Sequence, residues 1–227
     1  MIRVGLINGS PRGQNSASQY FLSEAGRRLD PGLTRTEIIV VSDQLQRGTA
    51  EAALAAMNAM DALILAFPLY VDGIPSAMLD FMIRFEAYRI EHGEASEAGT
   101  PRVYAIVNNG CIEGTQNRHA LQIVEHFANA AGLQWRFGVG IGGGEFLRQT
   151  KDQIPLQSKV KRKLLDALAE LQADLETQEA ACRKNIFFTP GIPQSFYMLA
   201  GNMGWIKSAN QNGLKRKQLL AQPHRSD

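Results

Sequence analysis

Hydrophobic and polar positions along the chain alternate between two rhythms. Ile2 to Ile7 is a β-rich run bounded by Gly and Pro, which predicts a buried first strand. From Ser16 to Leu29 the apolar positions Tyr20, Phe21, Leu22, Ala25 and Leu29 form a helical stripe, stopped by Asp30-Pro31-Gly32. Arg35 to Val41 predicts a second strand. Thr49 to Met60 is alanine-rich and predicts a helix with Thr49 as N-cap and Glu51 in its first turn. Asp61 to Phe67, DALILAF, shows no alternation, as a strand does when helices cover both its faces, and Pro68 ends it. A helix over about Ser76 to Glu91, a strand over Val103 to Val107, a helix over Asn117 to Ala131 closed by Gly132, and a strand over Trp135 to Ile141 follow. Gln153 to Ala181 then reads as one long helix with Pro155 in its first turn.

Five strands alternating with helices predict an α/β three-layer sandwich with a parallel sheet, because parallel neighbours need crossover connections. In such sheets ligands bind beyond the carboxyl ends of the strands. The loops after the first, third and fourth strands are therefore the places to look for chemistry.

Composition narrows the class. The chain has 227 residues, 44% apolar and 20% charged, which suits one globular domain. Net charge is +2, yet residues 1–182 carry 17 Lys+Arg against 21 Asp+Glu, and residues 183–227 carry 7 against 1. This divides the chain into a main domain, 1–182, and an apolar then basic C-terminal extension, 183–227, read as an arm. Two cysteines, Cys111 and Cys182, and the lack of a signal-peptide pattern favour a reduced, cytoplasmic setting. No apolar run approaches a bilayer span.

The loop after the first strand is NGSPRGQNS. Gly9 and Gly13 let backbone amides approach an anion, and the following helix start presents unpaired N–H groups. Ser10, Asn15, Ser16 and Ser18 add neutral donors and Arg12 a fixed charge. This is a phosphate cradle without the lysine of a Walker A loop; its plainer reading is a tight turn with Ser16 as N-cap. The loop after the third strand, PLYVDGIPSAMLDF, sets Tyr70 and Val71 among Pro68, Asp72, Gly73 and Pro75, either as the side of a flat-ring site or as a hydrophobic cap over the core. The loop after the fourth, NNGCIEGTQN, offers amides that suit a heterocycle's polar edge or an ordinary turn. Together they suggest a flat cofactor bearing phosphate, best matched by FMN.

GSPR with Asn15-Ser16, FPLYVDGIPSAML and NNGC resemble the flavodoxin-like NAD(P)H-dependent FMN reductases and quinone reductases. FYMLAGNMGWIKSANQNGL near the C-terminus resembles a bacterial NAD(P)H-dependent oxidoreductase group within them. The resemblance implies a five-stranded sheet in order 2-1-3-4-5 and FMN as cofactor. Its phosphate would lie on Ser10, Arg12, Asn15 and Ser16, and its ring against Pro68, Leu69, Tyr70, Val71, Asp72, Gly73, Asn109, Gly110 and Cys111. It further implies a homodimer that takes hydride from NADPH or NADH and passes it to a small acceptor such as a quinone or free flavin. No catalytic side chain is certain, because the cofactor carries such chemistry; Tyr70 is the candidate for the ring face, with loop N–H groups stabilising charge on the reduced ring. Two further readings stay open: a flavodoxin-type electron carrier without nicotinamide oxidation, against which Arg12 and the basic end speak, and a scaffold with a vestigial pocket.

Other signals carry less. GVGIGG, Gly138 to Gly143, matches a dinucleotide fingerprint, but with the next helix expected only near Gln153 its context fails. Two distant cysteines are too few for an iron–sulfur cluster, and His92, His119, His126 and His224 lack metal-ligand spacing. The C-terminal aromatics and Lys215, Arg216 and Lys217 suit a core-covering or dimer-covering arm, or more weakly a peripheral contact with anionic lipid. The basic tail is too short to argue for nucleic acid binding.

Overall fold

The computed structural model describes residues 1–93, 99–177 and 183–221. Cys182 and His224 lie outside them, as does the end of the expected long helix. Two compact units are present, Met1–Pro190 and Gly191–Asp227.

In the first unit, strands β1 (Ile2–Asn8), β2 (Thr34–Val40), β3 (Ala62–Pro68), β4 (Arg102–Asn108), β5 (Gln134–Ile141) and β6 (Ile186–Phe188) form one sheet in order β2-β1-β3-β4-β5-β6, every pair parallel. The flavodoxin-like order 2-1-3-4-5 is present, but the sheet has six strands rather than five. The sixth escapes the sequence pattern because it is three residues long, paired from Val139↔Ile186 to Ile141↔Phe188 at the sheet edge.

Helices α1 (Ala17–Gly26), α2 (Val41–Arg47), α3 (Ala50–Asn58), α4 (Ser76–His92), α5 (Arg118–Ala130), α6 (Gly144–Gln149) and α7 (Arg162–Thr177) surround the sheet. The central strand β3 explains the layering. Leu63, Leu65 and Phe67 enter one core with residues of α3, α4 and α5, while Ala62, Ile64 and Ala66 enter the other with α1 and α7. With both faces buried, DALILAF has no polar face to alternate with.

Three sequence expectations change. Val41 starts α2 instead of ending β2. Thr49 makes no side-chain cap bond to α3; its hydroxyl donates to Gln44 Oε1 at 2.6 Å. The long helix expected from Gln153 is a stretch of turns up to Lys161, with Ser158 N bonded to Pro155 O, and α7 begins only at Arg162. A separate six-residue helix, α6, lies between β5 and those turns. Buried Lys161 donates from Nζ to the C-terminal carbonyls of that region, Leu147 O at 3.1 Å and Thr150 O at 3.3 Å. Burial pushes its amine down from the usual lysine value.

The sheet's far end is tied by a buried ion pair. Between Val103 and Tyr104 the β4–β5 register skips Arg136, and the bulged guanidinium bonds Asp174 on α7 through Nε at 2.9 Å and NH2 at 2.7 Å. Tyr104 Oη donates to the same carboxylate at 2.7 Å. Burial alone would raise the Asp174 carboxyl, but the hydrogen bonds from Arg136 and Tyr104 outweigh it and hold the group below the usual carboxylate range.

In the second unit α8 (Gln194–Gln211) runs unbroken through Gly201 and Gly204, with Phe196, Met198, Leu199, Met203 and Trp205 exposed. The sequence had read this stretch only as an interrupted apolar arm. Among the described residues no helix is long and apolar enough to cross a membrane.

Candidate functional site

Beyond the carboxyl ends of β1, β3 and β4 lies a cleft of about 160 Å3. Ser10, Arg12 and Ser16 line it from the first loop, Pro68, Leu69 and Tyr70 from the third strand, and Asn109 and Gly110 from the fourth. Three chain segments far apart in sequence thus meet where the sheet order turns.

The first loop is shaped by its own polar side chains. Asn8, the last residue of β1 and fully buried, accepts Ser10 N at Oδ1 (2.9 Å) and donates from Nδ2 to Gly13 O and Gln19 Oε1, both at 2.9 Å. Gly13 sits at φ +53°, where a side chain would be strained. Ser16 caps α1: its hydroxyl accepts Gln19 N at 3.1 Å and donates to Gly13 O at 2.6 Å. A capped helix start still leaves its earliest N–H groups without intrahelical partners, and here those belong to Ala17 and Ser18, which line the cleft. The turn with Ser16 as N-cap and the loop expected to cradle a phosphate are therefore the same residues.

Asn108 joins the three segments. Its Nδ2 donates to Ser18 Oγ at 2.9 Å and Phe67 O at 3.1 Å, and its carbonyl accepts Leu69 N at 2.7 Å. Next to it, Asn109 donates from Nδ2 to Glu113 O at 3.0 Å, which fixes the amide's orientation and leaves the buried Oδ1 without a partner. A buried acceptor lacking a donor is costly.

After β3 the chain makes a tight hairpin in which Tyr70 N and Gly73 O, and Gly73 N and Tyr70 O, exchange bonds of 3.0 and 2.9 Å. Val71 and Asp72 between them both have positive φ, +46° and +59°, as a type I′ turn demands. A β-branched residue there is strained. Val71 is wholly exposed and Tyr70 about half exposed (47%), so neither caps the core.

Other candidates lie apart from the cleft lining. Asn15 lines a separate, polar groove of about 580 Å3 with Ser16, Arg27, Arg148 and Lys151. There burial and the Glu24 charge push Tyr20 up to about 12. Val71, Asp72, Gly73 and the exposed Cys111 are outside the cleft lining.

Glu145 on α6 is the residue the sequence did not reveal. It lines the cleft and meets Arg12 NH1 at 3.4 Å, while Arg148 NH2 holds it at 2.6 Å and Gln149 Nε2 at 3.0 Å. Burial alone would raise this carboxyl, yet the hydrogen bonds from Arg148 and Gln149 and the charges of Arg148 and Arg12 keep it below the usual range. The signal that could have found it is GVGIGG, since a helix does follow directly. Its last glycines, with Gly144 after them, serve close packing: Gly142 lies against the Ile112 carbonyl and Gly144 against Asn108, and the N–H groups of Gly142, Gly143 and Gly144 bond Phe188, Cys111 and Asn109 carbonyls. None of the three is left for a dinucleotide.

No family model matches this chain, and no curated protein matches it in sequence. Solved structures do match. An NADH:FMN oxidoreductase in its apo form shares 19% identity at a TM-score of 0.54, over 86% of this chain and 98% of that one. An NADPH-quinone reductase from P. pentosaceus shares 16% at 0.52, over 76% and 98%. An FMN-dependent NADH-azoreductase from Bacillus anthracis, in complex with FMN, shares 14% at 0.52, over 78% and 100%. Identities this low show a common fold.

Proposed function

We propose that this protein is an FMN-dependent oxidoreductase that oxidises NADPH or NADH and reduces a small acceptor such as a quinone or free flavin. The observation that carries the proposal is the cleft itself, where an anion-accepting helix start with one arginine meets an apolar and aromatic loop and an amide-bearing loop. Solved structures of the same fold that are named for FMN, NADH or NADPH support it.

The residues present fit FMN. Ser10, Arg12, Ser16 and the N–H groups of Ala17 and Ser18 would hold its phosphate, with Asn15 at the margin. Pro68, Leu69 and Tyr70, with Val71, Asp72 and Gly73 beyond them, would flank its ring, and Asn109, Gly110 and Cys111 its polar edge. The partnerless Asn109 Oδ1 supports this reading, since a flavin's pyrimidine edge carries an N–H donor. When bound, FMN supplies two-electron transfer between nicotinamide and acceptor. The chain binds and orients: neutral donors and one guanidinium set the phosphate, and exposed Tyr70 shapes the face at which substrates arrive.

The same reading takes the working unit as a cytoplasmic homodimer. Exposed Leu79, Ile83 and Ile90 along one side of α4 support an interface there. The test is steady-state oxidation of NADPH and NADH with a soluble quinone, with and without added FMN. Turnover that requires FMN supports the proposal, and FMN binding without nicotinamide oxidation would replace it with an electron carrier.

A further inference from the structure

Arg12 is the one cation and Glu145 the one anion among the described residues that line the cleft. They lie 133 residues apart in sequence and meet at 3.4 Å. The carboxylate is gripped harder from the other side: Arg148 Nε lies 3.2 Å from both its oxygens and NH2 lies 2.6 Å from Oε1. The charge an incoming phosphate needs is therefore already shared with a resident carboxylate.

We infer that Glu145 is a specificity-determining residue of the cleft, the counter-anion of Arg12 that weakens capture of a phosphomonoester, and that Arg148 is the positioning residue that holds it back. The inference rests on the FMN reading and goes beyond it by naming residues outside the three strand-end loops. A phosphomonoester is close to dianionic at neutral pH and feels Glu145 as a like charge. An uncharged ligand in the same cleft does not. Arg148 draws the carboxylate towards the adjoining groove, which it lines with Lys151 and Arg27, so its removal leaves Glu145 shared only between Gln149, at 3.0 Å, and Arg12.

The test is a calorimetric titration of FMN into the wild-type chain, E145Q, R148A and the double variant at low ionic strength. E37Q, which makes the same charge change on exposed β2, serves as control. E145Q is expected to bind FMN about three- to fivefold more tightly, as expected for a partly exposed charge pair, with E37Q within about twofold of wild type. R148A is expected to bind more weakly, and that loss should shrink in the E145Q background if Arg148 acts through Glu145. Circular dichroism melts verify that each variant is folded. Equal or weaker FMN binding by E145Q would overturn the inference, as would an equal gain in E37Q, which would mark a net-charge effect. A full R148A loss in the E145Q background would remove the positioning role. FMN that binds every chain alike defeats this inference alone; FMN that binds none defeats the functional reading as well.

Discussion

Asn108 Nδ2 lies 2.9 Å from Ser18 Oγ, so one buried amide at the end of β4 holds the start of α1. Through its second bond, to Phe67 O, it also holds the end of β3. The cleft is thus framed by groups that contact each other before any ligand does. Preorganisation of this kind spares a ligand the cost of ordering loops.

Asn108→Leu should therefore damage both stability and binding. It strands the Ser18 hydroxyl and the Phe67 carbonyl, for an expected loss of about 1–3 kcal/mol, and it frees α1 to shift away from the cleft. Urea denaturation measures the first effect and FMN fluorescence titration the second. A variant as stable as wild type, with intact affinity, would show that the loops are held by other means.

Arg12→Ala removes the one cation among the described residues that line the cleft. FMN affinity should fall by about tenfold, in line with a charged hydrogen bond of about 1.5 kcal/mol, while riboflavin, which has no phosphate, should be affected far less. Parallel titrations of the two flavins make the comparison, and equal losses would place Arg12 away from the phosphate.

Asp174→Asn tests the sheet's far end. Breaking a buried pair by neutralising one member costs about 3–5 kcal/mol, read as a lower denaturation midpoint. The sign with pH follows from the depressed carboxyl. Its unfolded value is about 3.9, so its stabilisation is fully present above that and is lost as pH falls through the lower folded value. Wild-type stability should decline on acidification below about pH 4, with a shallower decline in the variant.

The strained hairpin offers the opposite sign. Replacing Val71-Asp72 by Asn-Gly supplies residues that accept positive φ at both positions. Stability should rise by about 0.5–1 kcal/mol, measured by thermal and urea unfolding. A loss would mean that the Val71 side chain supports the fold despite its exposure.

How much of this was legible in the sequence depended on whether the signal was local. DALILAF, the Pro68 stop and Ser16 ahead of a helical stripe are local patterns, and the layered sheet and the Ser16 cap follow from them. β6 was missed because three residues carry no periodicity and its pairing with β5 is set in three dimensions. The turns over 153–161 were missed because the apolar spacing of Gln153 to Ala181 suits a helix almost throughout, while buried Lys161 and the Pro155 turn decide otherwise. Glu145 was missed separately, since the six residues of α6 are too few to carry a helical period and without α6 nothing brings position 145 near position 12. The charge balance of a cleft depends on such distant pairs, whereas the turn residues that build its walls announce themselves.

The proposed function requires that this cleft hold FMN and that a nicotinamide reduce it there. The most direct measurement is the absorbance spectrum of the protein reconstituted with FMN, followed anaerobically after adding NADPH and, separately, NADH. Protein-bound flavin bands should bleach in a two-electron step with at least one of the two donors. Bound flavin that stays oxidised in the presence of both, or protein that takes up no FMN, would contradict it.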